Sequence, residues 1–453
     1  MADIRAVSRT FAVLAALVLV AACAGPGQTT PTPGAASPTP AQPTPAGTGA
    51  TSSPGGEEYG VDDGTTLSLW TRSVTADQTQ LLVDEYNATH QNKVEVTVLP
   101  RDQALQAVTA AAGADDLPDL LGGNVIDGAN YSALGLWHDL TDRINELPFR
   151  DTLAPAHLRI ATWEDKIYAV PHVVDVSAIY YNRVLFERAN LDPDNPPTTL
   201  QGWRDAAEAI SALGADIDGM YFPGNCAGCL VFITWPSVWA GGGTVMNEDG
   251  TAATLDTPVV QGVYDWYNDM FESGLMRPTS QDEPGATQNE IWASGTVGFM
   301  LLGSKALGQV PASDALEPDV APIPGVDGGV STFVGGDVMG VSTSSDKVDA
   351  AWNFLAWTLG EEAQLELYAR NLFMPVRTDL AQNEYHADDE RLVTFNELVD
   401  QGETPYAPNF FQCFNDPLGP WLSTARGAIF GEDVSGALNT GNQQLTECLS
   451  APR

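Results

Sequence analysis

A strand, a helix and a second strand in close succession constrain this chain more than any other feature. Thr66-Leu67-Ser68-Leu69-Trp70 is strand-like, Gln78 to His90 sets Leu81, Leu82, Glu85 and Tyr86 at helical spacing, and Lys93-Val94-Glu95-Val96-Thr97-Val98-Leu99 alternates as a strand does. Two strands joined by a helix pair in parallel by default. Ala104 to Ala112 reads as another helix, and Leu117-Pro118-Asp119-Leu120-Leu121 as a short strand running into Gly122-Gly123-Asn124. Open α/β sheets bind ligands beyond the C-terminal ends of their strands, which makes Trp70, Arg72 and Asn124 candidate site residues. The part of the chain able to fold is about 390 residues long, more than one core usually holds, so two lobes are expected.

What precedes this unit is of another kind. Arg5 and Arg9 lead into an apolar run from Phe11 to Val20, which ends in Val20-Ala21-Ala22-Cys23. A charged start, a short apolar stretch and small residues are the grammar of a secretory signal peptide. The cysteine directly after them resembles the bacterial lipobox, where signal peptidase II leaves an N-terminal cysteine carrying lipid. Gly, Pro, Ser, Thr and Ala then dominate to about Gly60, a stretch too poor in large apolar residues to fold. The expected order is a signal peptide over 1–22, lipid on Cys23, a disordered tether over 23–59, and a body held at the extracytoplasmic face of a bacterial membrane. A plain signal peptide cut elsewhere and an N-terminal anchor helix are the alternatives, although the apolar run is short for a bilayer.

Asp and Glu number 59 against 20 Lys and Arg, a net charge of −39. Such a surface repels nucleic acid and anionic head groups, and it argues against anionic ligands unless a local basic pocket survives. The charge itself is read as solubility, suited to a salty habitat that screens self-repulsion. Of five cysteines, lipidation of Cys23 leaves Cys226, Cys229, Cys413 and Cys448 for two disulfides in an oxidising compartment. Three pairings are open; the preferred one is Cys226–Cys229, in a glycine-flanked loop, with Cys413–Cys448. A redox-active C-x-x-C is weighed and set aside because no thioredoxin-like context surrounds it. Zinc would want a second ligand pair at similar spacing, which is missing.

From Lys166 to Asn190 the chain reads KIYAVPHVVDVSAIYYNRVLFERAN, followed by Pro196-Pro197-Thr198-Thr199. This run resembles the lobe-crossing segment of the family 1 extracellular solute-binding proteins of ABC importers, the maltose-binding-protein type. The family's usual Trp-Asp-Glu after it is replaced by Leu200-Gln201-Gly202-Trp203, which alters a helix start. Similar matches follow in order: Trp235 to Gly243, Ser294 to Met300, Phe333-Val334-Gly335-Gly336-Asp337, the helix opened by Ser345-Asp346-Lys347 with its apolar stripe, and Phe373-Met374-Pro375-Val376-Arg377. The resemblance implies an α/β, two-lobed periplasmic-binding-protein fold of type II with an inter-lobe cleft that closes by hinge motion. Its chain crossings are expected near Val174–Val176, near Gly335–Met339 and again after residue 385. The body then divides into lobe 1 over 60–174, lobe 2 over 175–336, a return to lobe 1 over 337–385, and C-terminal lobe-2 helices over 386–453.

Ser344-Ser345-Asp346-Lys347 contains S-x-x-K, but without a Ser-Asp-Asn or Lys-Thr-Gly partner it is read as a helix N-cap. No G-x-S-x-G, HExxH or P-loop is visible, the five histidines are scattered, and Asp216-Ile217-Asp218-Gly219 is read as a turn. No catalysis, cofactor or metal is expected. A sugar site needs flat aromatic platforms beside carboxylates, amides and Arg. Trp70, Tyr131, Trp235, Trp239 and Trp421 are candidate platforms, each with core packing as its plain alternative. Trp421 stands out because Pro417 to Arg426 resembles the family's C-lobe helix whose aromatic stacks on sugar, and Trp239 because glycines follow it. Asp175, Asp337 beside Gly335 and Gly336, Arg377 and Asn124 complete the candidate set, with surface carboxylates and salt bridges as the plain alternatives. The expected function is a lipid-anchored substrate-binding component of an ABC importer, with a sugar or oligosaccharide as ligand and membrane permease subunits as partners. Another solute (a polyamine, a peptide, a metal complex), a secreted carbohydrate hydrolase and an adhesive surface domain are the alternatives.

Overall fold

The computed structural model describes residues 59–100 and 103–452. The expectations for the signal peptide, Cys23 and the tether up to residue 58 lie outside the described residues. Strand β1 (Thr66–Arg72), helix α1 (Ala76–Thr89), β2 (Lys93–Leu99), α2 (Ala104–Ala114) and β3 (Leu120–Asn124) follow in order. β1 pairs in parallel with β2 on one side and with β3 on the other. Leu67 and Leu69 of β1 and Leu82, Val83 and Tyr86 of α1 are buried, so the alternating and helical patterns bury their apolar faces. β3 starts later than the sequence pattern predicts. Pro118 has no N–H for a ladder, and the Asp119 carboxylate accepts from Ser68 N at 2.8 Å and Ser68 Oγ at 3.0 Å. Helix α3 (Val125–Ala133) follows β3 at once.

Strand β4 (Val170–Asn182) joins the two lobes. Strands β5 (Asp218–Tyr221), β6 (Val297–Gly303), β7 (Pro318–Ala321) and β8 (Val334–Val341) complete the main sheet. Its order is β2-β1-β3-β8-β4-β6-β5, with β7 also against β4. The first half of β4 runs antiparallel to β8, up to the pair Val176↔Val334, and the second half pairs with β6 from Ser177↔Gly303 onward. One continuous strand thus serves both lobes, and all of it except Asp175 is buried, which is why its sequence is mostly apolar, with His172, Ser177 and Asn182 as buried polar residues. A further chain segment passes this junction: Val334 N donates to the Glu403 carbonyl at 2.9 Å and Glu403 N to that of Thr332 at 3.0 Å.

The second lobe carries helices α4 (Leu200–Ser211), α5 (Ala227–Ala240) and α6 (Pro258–Glu272). The altered start of α4 is capped by Thr199, whose hydroxyl accepts from Gly202 N at 3.1 Å, and Trp203 is buried against Phe299. Asp218 lies in β5, where the sequence reading has a turn, and pairs with Arg277 at 2.5 Å. Helix α7 (Val348–Thr358) returns to the first lobe. At its start Ser345 Oγ accepts from Lys347 N at 3.2 Å and donates to Asp119 Oδ1 at 2.7 Å, while Lys347 Nζ reaches Asp119 Oδ2 at 3.0 Å. Ser345 and Lys347 therefore tie α7 to the start of β3; the N-cap position itself is Lys347, without a side-chain cap bond, so the serine cap read from the sequence is not what starts the helix. Helices α8 (Pro420–Phe430) and α9 (Val434–Leu449) pack back on the second lobe. Cys226 is bonded to Cys229 and Cys413 to Cys448, with Cα separations of 5.1 and 5.8 Å.

Candidate ligand-binding site

The C-terminal ends of β1 and β3 meet the facing stretch of β8. Antiparallel pairing sets Asp337 opposite Asn124 on one side and opposite Val173 on the other. Arg72, the last residue of β1, reaches Asp337: Nε donates at 3.0 and 3.2 Å, and Nη2 makes a closer contact with Oδ1. Thr75 Oγ1 donates to Asp337 Oδ2 at 2.6 Å. The Asp337 side chain is fully buried and that of Arg72 is 12% exposed. Burial works against the Arg72 charge, but Asp337 outweighs it and holds the guanidinium above its ordinary pKa.

On the hinge strand, Asp175 lies opposite Gly335. Its Oδ1 accepts from Ser304 Oγ at 2.8 Å and from Lys305 N at 3.4 Å. Burial pushes the Asp175 carboxyl up, against the Ser304 hydrogen bond and the Lys305 charge. Burial likewise lowers Lys305, opposed by Asp175. Ser304 and Lys305 follow β6 in the second lobe, while Lys305 Nζ donates to the carbonyl of Val74, just beyond β1 in the first. Gly336 has φ +112°, and a Cβ there would lie 1.8 Å from the Val173 carbonyl oxygen. It is glycine because β8 approaches β4 too closely for a side chain.

Aromatic surface stands beside this polar crossing. Phe232 and Trp239, two turns apart on α5, are half-buried and flank Phe333 with ring centroids 5.3 and 6.1 Å from it. Trp70 is half-buried two residues before Arg72, hence on the same face of β1. A cavity of about 470 Å³ is lined by Leu105, Gln106, Thr109 and Ala110 of α2 and by Phe411 of the second lobe.

Trp70, Arg72, Asn124, Asp175, Trp239, Gly336 and Asp337 all fall on the strands and helix around this crossing. Asn124, however, acts locally, since its Oδ1 accepts from Ile126 N at 3.2 Å and caps α3. The other two are elsewhere. Arg377 is held by two hydrogen bonds to Asp379, at 3.0 and 2.6 Å, and lies over the Phe149 ring. Trp421 is fully buried in the second lobe, packed against Trp235, Phe414 and Tyr264, and so has no free face for a sugar ring. Trp235, at the centre of that cluster, is also core. The sequence reading missed Thr75, Asp127, Ser304, Lys305, Phe232 and Phe411. Lys305, one of only four lysines, stands just past a strand end, and Phe232 precedes Trp239 by two helical turns; both signals were present.

Asp127, buried on α3, has its carboxyl pushed up to about 7 by burial, with Arg72 opposing and Asp337 adding to the shift. A carboxyl raised in the fold contributes stability fully below its unfolded value of about 3.9, and that contribution is lost as pH rises through the folded value. His157 and His172, buried nearby and pushed down to about 4 by burial, act oppositely: their contribution is present above about 6.5 and lost as pH falls through 4. The variant Asp127→Asn cannot ionise. Its melting temperature is expected to gain on that of the unmodified protein from about pH 4 to pH 7 and to keep a constant lead above that. Parallel melting curves across this range would remove Asp127 from the pH response.

The chain belongs to the bacterial extracellular solute-binding protein family, whose pattern matches residues 72–365. Its fold is the two-lobed one of known sugar-binding proteins. The cyclic alpha-maltosyl-1,6-maltose binding protein of Arthrobacter globiformis superposes with a TM-score of 0.73 at 25% identity, covering 86% of this chain and 100% of that one. The sugar-binding protein MalE of Xanthomonas citri gives a TM-score of 0.75 at 18% identity, covering 85% and 98%. The diacetylchitobiose binding protein DasA of Streptomyces coelicolor is 25% identical over 353 residues, 75% of this chain and 80% of that protein. These relatives are binding proteins, and the family works outside the cytoplasm. No helix among the described residues is long and apolar enough to cross a membrane.

Proposed function

We propose that this protein is the lipid-anchored substrate-binding component of an ABC importer and that it holds a neutral sugar or oligosaccharide between its lobes for delivery to a permease. The observation that carries this reading is the placement of half-buried aromatic faces beside partnered carboxylates at the β4–β8 crossing. Phe232, Trp239 and Trp70 supply apolar platforms for the C–H face of a ring, and Asp175 supplies an acceptor for its hydroxyls. Neutrality follows from charge. Arg72 is committed to Asp337, Lys305 to the Val74 carbonyl and the Asp175 field, and a phosphate would find both cations already compensated. The sugar specificities of the relatives named above agree with this reading.

Calorimetric titration with a panel of neutral mono- and oligosaccharides, alongside sugar phosphates and polyamines, tests it. Saturable binding of a neutral sugar, recovered intact afterwards, is the expected result. Binding confined to a phosphate ester or a polyamine would overturn the ligand class, and turnover of the sugar would make the protein a hydrolase. Mass spectrometry of membrane-extracted protein tests the anchor: the first residue should be Cys23 with lipid attached, and an unmodified or different start would refute it.

A further inference from the structure

The two disulfides sit in different settings. Cys226 is the N-cap residue of the 14-residue helix α5, and its Sγ accepts the Cys229 backbone N–H at 3.2 Å. Both residues of this pair are half-buried; in the other bridge Cys448 is half-buried and Cys413 is fully buried. The bridge spans a separation of 3 residues against 35 for Cys413–Cys448, so it restrains the unfolded chain far less and the fold in turn protects it less. Gly285, at φ +90°, lies beside the pair: a side chain there would start 3.1 Å from Cys229 Sγ and 3.7 Å from Cys226 Sγ. Charges of both signs face the loop. Arg426 donates to the Gly224 carbonyl at 2.9 Å, and Glu283 Oε1 accepts from Gly285 N at 2.8 Å. The free N–H groups and dipole at a helix N-terminus stabilise a thiolate, and stabilising the reduced form makes a C-x-x-C disulfide easier to open.

We propose that Cys226–Cys229 is a thiol–disulfide exchange site, opened by a dithiol reductant under conditions that leave Cys413–Cys448 closed. A thiolate of the reductant attacks Cys229 Sγ. The S–S bond breaks and its electron pair leaves on Cys226 Sγ, where the Cys229 N–H and the helix terminus receive the charge. The second thiol of the reductant then displaces Cys229, forming the reductant's own disulfide. Two electrons and two protons pass from the dithiol to the cysteine pair.

The test uses the full mature protein with both pairs oxidised, equilibrated in mixtures of reduced and oxidised dithiothreitol, then acid-quenched, alkylated and peptide-mapped. Cys226–Cys229 is expected to reach half-opening at a reduced-to-oxidised ratio at least tenfold lower than Cys413–Cys448, about 30 mV in potential. At that ratio the far-UV circular dichroism should stay native, and Cys226 should alkylate with a pH midpoint below the ordinary thiol value of about 8.5. Opening of both pairs together, earlier opening of Cys413–Cys448, loss of the native spectrum at that ratio, or a midpoint at or above 8.5 would each overturn the proposal.

Discussion

Arg72→Met is expected to cost about 3–5 kcal/mol of stability, far more than removal of an exposed arginine would. The reason lies in what stays behind. Asp337 is fully buried between β3 and β4, and without Arg72 it keeps, among the described residues, only the Thr75 hydroxyl as a side-chain hydrogen-bond partner. A buried carboxylate that loses its counter-charge carries the desolvation penalty alone. Asp127 adds to the burden, because Arg72 is the charge that opposes the rise of its pKa. The companion variant Asp337→Asn in the Arg72→Met background should recover most of the loss, since an amide tolerates burial that a carboxylate does not. Urea denaturation of the two single variants and the double variant gives the coupling directly. Additive losses would mean that Arg72 and Asp337 act independently and that the pair does not hold the first lobe's strand ends to β8.

How far the sequence shows all this depends on distance along the chain. The β1-α1-β2 unit is legible because its periods are local and its buried faces are one-sided. β4 is legible because a strand covered on both faces is mostly apolar, and among its few polar residues Asp175 is the one left part-exposed. The Arg72–Asp337 pair is another matter. Both residues are visible as candidates, but they are 265 positions apart and no local pattern says that one is spent on the other. The same holds for Lys305 and Val74, and for α2 and Phe411, which are brought together only by the lobes' packing. The Asp127 carboxyl is hidden for a related reason: its altered titration comes from burial by chain segments that the helix pattern of 125–133 does not specify.

Trp421 is the reverse case, a residue whose surroundings were legible and whose reading as a sugar platform the structure does not support. Trp421, Thr424, Ala425, Ala428 and Ile429 are buried along α8 at i, i+3, i+4, i+7 and i+8, the stripe of a helix facing a core. The Trp421 ring packs edge-on to Trp235 at 5.3 Å, and Nε1 donates to the Ala227 carbonyl at 3.1 Å, pinning α8 to the first turn of α5. Trp421→Ala is therefore expected to lower stability by about 3–5 kcal/mol, through lost apolar burial and the cavity left among Trp235, Phe414 and Tyr264. The affinity of the surviving folded fraction for its sugar should change little. Trp421→Phe, which keeps a ring but drops the N–H donor, should lose a smaller part of the stability. Chemical denaturation read beside calorimetric titration separates the two roles, because a platform residue moves affinity and a core residue moves stability. A Trp421→Ala protein of undiminished stability that no longer binds sugar would place the ring back against the ligand and require the second lobe to repack when it is occupied.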